Sequence, residues 1–197
     1  MKLIPYVNIK MGTKSVMRYS NGNTLPLIQL PFGMASFALQ TNGASNWYYS
    51  PDYPYTEGVR LTHQPSPWIG DYGTFLMMPQ TDIICNTPKD AYSSFRQKDT
   101  VMRPDYLKIE FLRSGCTFEL SPTERGASLR LKYTKNTGMY LSFFPTRGNY
   151  SYRIDKENNM LLGETDGYTQ GEPKNFKMYY VVKFEEGTVD FDKSYLS

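Results

Sequence analysis

Along this 197-residue chain, short runs of alternating or consecutive apolar residues recur between clusters of turn-forming residues. Val59-Arg60-Leu61-Thr62-His63 alternates, as a strand with one wet face does. Thr74-Phe75-Leu76-Met77-Met78 is a compact apolar run that Pro79 is expected to end. Tyr106 to Leu112 follows a Pro-Asp turn signal, and Cys116 to Leu120, Ser128 to Tyr133 and Met139 to Phe144 continue the series. Tyr150 to Ile154 and Met160 to Glu164 flank Asp155-Lys156-Glu157-Asn158-Asn159, a polar hairpin loop. Phe176 to Phe184 is β-rich but alternates less cleanly. Roughly ten to twelve strands at this spacing predict an all-β sandwich or barrel with few or no helices. Residues 12 to 56 break the pattern. They are rich in Gly, Asn, Ser, Pro and Tyr and read mostly as an ordered loop, held by the aromatics between Phe32 and Tyr55.

Composition supports the β reading. Aromatics reach 15%, mostly 17 Tyr and 11 Phe, and such residues suit a pleated sheet. With 40% hydrophobic and 21% charged residues the chain has the makings of a folded core. A net charge of +3, with its basic residues scattered, gives no nucleic-acid footprint. No apolar stretch approaches the length of a membrane span, so no membrane partner is expected. The first residues lack a secretory pattern, and a native Met1 would place the protein in the cytoplasm. Cys85 and Cys116 read as two reduced, buried thiols.

Few chemical motifs survive inspection. His63 is the only histidine, so it has no second histidine to share a metal with, and no G-x-S-x-G is present. Gly12-Thr13-Lys14-Ser15 lacks the spacing of a phosphate loop. The informative segment runs from Leu61 to Gly73 and holds His63, Gln64, Trp68, Asp71 and Tyr72. An aromatic face can stack on the apolar side of a pyranose while imidazole, amide and carboxylate groups bond its hydroxyls. The same residues also suit an ordered loop whose Trp68 plugs the sandwich and whose Asp71 caps a turn. Asn46 to Tyr55, with Trp47, either lines the same cleft or is a surface loop pinned by its own rings. No pair of carboxylates stands out as a general acid and base.

Several motifs, in order, resemble one known family. Val7-Asn8 with Gly12-Thr13, Asn23-Thr24-Leu25-Pro26 and Leu30-Pro31-Phe32-Gly33-Met34 resemble the opening V-N-P-F-I-G-T, H-T-F-P and V-P-F-G-M of glycoside hydrolase family 92. Thr62-His63, Gly70-Asp71-Tyr72-Gly73 and Leu76-Met77-Met78-Pro79 resemble its H-T-H, G-D-Y-G and L-L-M-P series. Tyr92-Ser93-Ser94-Phe95 and Leu120 to Arg125 fall where the family has S-x-F-S and L-T-A-T-x-R. The resemblance covers most of residues 7 to 145.

It implies that residues 1–197 form one amino-terminal, two-sheet β-sandwich of the galactose-mutarotase-like super-sandwich type. It also implies that they belong to a longer, calcium-dependent, inverting exo-α-mannosidase. In that family a helical (α/α) barrel domain supplies most of the paired carboxylates and calcium ligands, and the sandwich packs against it. No catalytic group and no metal ligand is therefore expected in this chain, which alone would be inactive. His63, Trp68 and Asp71 are expected to face the sugar or shape the cleft, with Gln64, Trp47 and Asn23 behind them. The substrate implied is a mannose-containing glycan, α-1,2-linked or related to N-glycan mannose. Leu61 in place of the first His of H-T-H, Asn23 in place of another His, and Gln64 to Trp68 in place of a Gly-rich stretch point toward a different linkage or sugar. Two other classes remain on the sequence alone: a stand-alone carbohydrate-binding module, and a structural sandwich that packs on a partner.

Overall fold

A computed structural model describes residues 3–14, 24–44, 48–63, 70–136, 138–168, 173, 175–185 and 189–190 of the chain. Among these, the strands are β1 (Ser36–Gln40), β2 (Tyr55–Thr56), β3 (Gly58–Thr62), β4 (Phe75–Thr81), β5 (Ser93–Ser94), β6 (Val101–Arg103) and β7 (Tyr106–Phe111). They continue with β8 (Cys116–Pro122), β9 (Ala127–Tyr133), β10 (Met139–Pro145), β11 (Tyr150–Asp155), β12 (Met160–Thr165) and β13 (Met178–Lys183). The sheets run β1-β3-β4-β10, β6-β7-β8-β9, β11-β12-β13 and β2-β5, all antiparallel. Helix is confined to short turns such as Pro88–Ala91, whose N-cap Thr87 accepts from the Asp90 backbone N–H. The all-β expectation holds.

β7 and β8 show why. Leu107, Ile109 and Phe111 point inward, opposite Leu120, Phe118 and Cys116 in register, while Lys108 and Glu110 face water. Each fully buried side chain of this kind contributes about 1.5–3 kcal/mol. Phe111 and Phe118 meet edge to face at 6.0 Å. These residues join Phe37, Leu39, Val59, Leu76 and Met77 of the first sheet in one buried cluster, which makes the two four-stranded sheets a sandwich around a single core.

Two expectations need correction. Val59 to His63 does not alternate between core and water: all five residues of β3 are buried, Arg60 included, because β3 is central and covered on both faces. Pro79 does not end its strand. β4 runs on to Thr81, and Pro79 pairs with Leu141 beyond the start of β3, where β4 has a neighbour on one side only. The described residues of the segment 12–56 are mostly loop, as expected. They include β1, whose five residues are all buried and so show no period, and the short β2. The two thiols are free as expected, but Cys85 is only half-buried whereas Cys116 is fully buried.

The third sheet docks through β13. The Tyr180 ring packs on Phe75 at the start of β4, with centroids 4.7 Å apart. Gly163 lets Tyr180 cross β12, since a Cβ there would sit 2.3 Å from the ring. The chain bends at Gly73, with φ +55°, and Tyr72 forms an isolated bridge to Tyr168, just after β12. The Gly73 N–H donates to the Gly167 carbonyl at 2.9 Å. Register places Ser36 opposite Thr62, so the start of β1, the end of β3 and the start of β4 share one end of the sheet.

Candidate functional site

At that shared end the chain between β3 and β4 returns on itself through Asp71. The carboxylate is buried, with 3% exposure, and accepts four hydrogen bonds from described residues. Oδ1 takes the backbone N–H groups of His63 at 2.8 Å and Tyr72 at 3.0 Å. Oδ2 takes the Thr62 hydroxyl at 2.8 Å and Arg60 Nη2 at 3.4 Å. Asp71 thus fastens both ends of the excursion. Arg60 is held in turn by Gln40 Oε1 at 2.9 Å and lies over the Tyr48 ring at 4.5 Å. Gln40 donates to Glu57 Oε2 at 2.7 Å, which also accepts from the Gly43 backbone N–H. Burial pushes the Tyr48 hydroxyl well above its ordinary pKa, against smaller pulls from Thr62 and Arg60, so it stays protonated.

His63 stands half-buried just past β3. Its Nδ1 lies 2.8 Å from the Tyr72 carbonyl oxygen. A carbonyl only accepts, so Nδ1 carries the proton and Nε2 is the ring's acceptor. The imidazole stacks on the Tyr72 ring at 4.3 Å and 12°, and Phe176 meets Tyr72 edge-on at 5.3 Å. The result is an oriented, neutral acceptor on an aromatic support.

Burial lowers the His63 pKa, outweighing the Tyr72 carbonyl and the Asp71 charge, which pull it up. The unfolded chain takes this proton near pH 6.5, before the folded one does. The stability tied to His63 is therefore complete above about pH 6.5 and is lost as pH falls through the lower, folded-state value. Because this is the only histidine, the slope between about pH 7 and pH 5.5 reports largely on one group. Urea midpoints across that range should fall in the parent and stay flatter in His63→Gln. Equal slopes in the two proteins would free His63 of the effect.

Of the other residues expected here, Gln64, Trp68, Trp47 and Asn23 lie outside the described residues. The structure brings His63 and Asp71 together, with Asp71 beneath and His63 at the surface. Arg60 and Gln40, which the sequence reading did not single out, support Asp71 from below. Phe32 occupies the turn just before β1, at the same end of the sheet. It is fully exposed and has φ +60°. A side chain in that left-handed region costs about 1–2 kcal/mol relative to glycine.

Among the described residues, no group of three or more His, Cys, Asp or Glu side chains is placed to hold a metal ion. A cavity of about 600 Å³ lies elsewhere, at the far end of β3, lined by Asp90, Tyr92, Ser94, Leu112 and Arg113. It shares no residue with the His63 site. No described helix is long and apolar enough to cross a membrane.

Residues 6–194 match the profile of the glycosyl hydrolase family 92 N-terminal domain. An inverting family GH92 mannosidase of Bacteroides thetaiotaomicron VPI-5482 is 33% identical, with a TM-score of 0.84 over 93% of this chain and 25% of its own. A family GH92 α-mannosidase of the same species, in complex with mannoimidazole, shares the fold at 22% identity. Its TM-score is 0.72 over 84% of this chain and 23% of its own. A third GH92 glycosyl hydrolase shares the fold at 16% identity and a TM-score of 0.65, over 91% of this chain and 26% of its own. No curated protein matches the chain. The chain spans about a quarter of the length of these solved relatives. By the profile, the 33% identity and the shared sandwich, the chain belongs to glycosyl hydrolase family 92, through that family's N-terminal domain.

Proposed function

We propose that this domain forms one wall of the substrate cleft of an inverting exo-α-mannosidase. In this reading the rest of the enzyme is a helical barrel that packs against the His63 end of the sandwich. The substrate is an α-mannoside of the α-1,2-linked or related N-glycan type. The observation that carries the reading is the His63 ring. It is neutral and oriented, with Nε2 able to accept a bond from a sugar hydroxyl, and it lies in a motif series that the family profile covers. The inverting mannosidase at 33% identity supports the reaction class.

Inversion needs one carboxylic acid to protonate the leaving oxygen and one carboxylate to activate water on the opposite ring face, about 6.5–9.5 Å apart. Asp71 is committed to the loop ends, so the proposal draws both groups from the barrel. The calcium ligands are assigned to the barrel as well. The sandwich contributes position: a hydroxyl held in register lowers the barrier without chemistry of its own. Alone, it is expected to be inactive.

The full-length polypeptide should hydrolyse aryl and natural α-mannosides and release β-mannose first, as seen by proton NMR, and a chelator should abolish turnover. Failure on every α-mannoside, or retention of configuration, would refute the assignment. Activity indifferent to the chelator would refute the calcium part.

A further inference from the structure

Pro31-Phe32-Gly33-Met34 leads into β1. The Gly33 N–H donates to the Leu30 carbonyl at 3.0 Å, closing a turn with Pro31 and Phe32 at its two central positions. With φ +60° at the second, this is the pattern of a type II turn, where glycine is the usual occupant. A phenylalanine there carries backbone strain, and its ring gains no burial in return.

The turn is anchored on both sides. The Gln29 N–H donates to the Pro104 carbonyl at 2.9 Å, in the β6–β7 hairpin. The Met34 N–H donates to the Glu124 carbonyl at 2.6 Å, in the β8–β9 turn. Ser36 Oγ bonds the Gln29 side chain. Both four-stranded sheets therefore hold in place a turn whose ring touches neither core. Register puts Ala35 level with His63, so Phe32 rises three residues beyond the His63 acceptor at the same end of the sheet.

We propose that Phe32 is a sugar-contacting residue of the cleft, its ring stacking on the apolar C–H face of a hexopyranoside whose hydroxyl edge His63 binds. The inference rests on the mannosidase reading and adds to it a specificity-determining residue. A pyranose has an apolar face and a polar rim, and an exposed ring at the same end of the sheet as an oriented acceptor answers both. The two hairpins fix the backbone of the turn, and with it the direction of the Phe32 Cα–Cβ bond, so less backbone has to be ordered on binding.

The test uses the full-length enzyme with p-nitrophenyl α-mannoside and α-mannobiose. Phe32→Ala should raise KM about ten-fold with kcat within about two-fold, the signature of lost uniform binding. Phe32→Tyr and Phe32→Trp should bring KM back to within about three-fold of the parent, since either ring can stack. Phe32→Asn should raise KM as alanine does yet leave Tm at or above the parent value, because asparagine tolerates the left-handed region. A parent that turns over α-mannoside while both the alanine and asparagine variants keep KM within about two-fold would overturn this role and leave the mannosidase reading intact. Tm losses beyond about 5 °C in both variants with KM unchanged would also overturn it, marking the ring as packed against another part of the polypeptide. A parent inactive on every α-mannoside would remove both readings together.

Discussion

Asp71→Asn is expected to destabilise the chain by about 3–5 kcal/mol, the loss seen when one member of a buried ion pair is removed. Side-chain exposures of 11% for Arg60 and 4% for Asp71 put the pair out of reach of water. Both carboxylate oxygens face donors: two backbone N–H groups on one, a hydroxyl and a guanidinium on the other. Whichever way an asparagine turns, its NH₂ meets a donor, and among the described residues the Arg60 charge keeps Gln40 and the Tyr48 ring. Arg60 Nε already has no hydrogen-bond partner among the described residues, so nothing there offsets the loss. Thr62→Val, which removes one of the four bonds, should cost about 1–2 kcal/mol. Urea denaturation read by tryptophan fluorescence measures both. An Asp71→Asn midpoint within about 1 kcal/mol of the parent would show that the buried pair does not hold the loop.

Gly73→Ala should cost about 2–4 kcal/mol, the sum of a left-handed alanine and an overpacked contact. Gly73 has φ +55°, and a Cβ built there would lie 1.9 Å from Met178 Sδ and 2.9 Å from Met178 Cβ and Cγ. The sulfur can swing aside, but the Cβ is fixed by β13, so the third sheet itself must move. Adding Met178→Ala removes Sδ and Cγ but keeps Cβ, so it should recover only part of the packing share and leave the backbone share. Gly126→Ala is the control, since its new methyl would meet only Thr123 Oγ1, at 3.8 Å. Thermal melts read by circular dichroism should show losses of about 2–4 °C per kcal/mol for a chain of this size. A Gly73→Ala melt that matches Gly126→Ala would sink the argument.

These two residues also mark what the sequence discloses and what it conceals. β7, β8, β9 and β11 were legible because each side of the sheet meets a different medium, and their alternation survives in the burial pattern or nearly so. β1 was not, because Ser36–Gln40 is buried on both faces and has no period to read. Arg60 looked like a solvated strand position. Only the return of the chain eleven residues later brings Asp71 to its guanidinium. The spacing from His63 to Asp71 was visible as a motif, whereas its physical content, a carboxylate oxygen accepting the His63 N–H, belongs to the fold. Phe32 was legible as part of Leu30-Pro31-Phe32-Gly33-Met34, but a hydrophobic pattern does not say which apolar residue a turn will turn outward.

The bridge from Tyr72 to Tyr168 has a temporal meaning as well. Its halves lie close to a hundred residues apart in the chain. A ribosome adding about 5–20 residues per second makes the first half on the order of 5–20 seconds before the second. During that interval the nascent His63 loop has its Asp71 fastening but not its outer brace. The His63 end of the sandwich therefore takes its final shape only once the hairpin of β11 and β12 has left the exit tunnel, however early the neighbouring strands have paired.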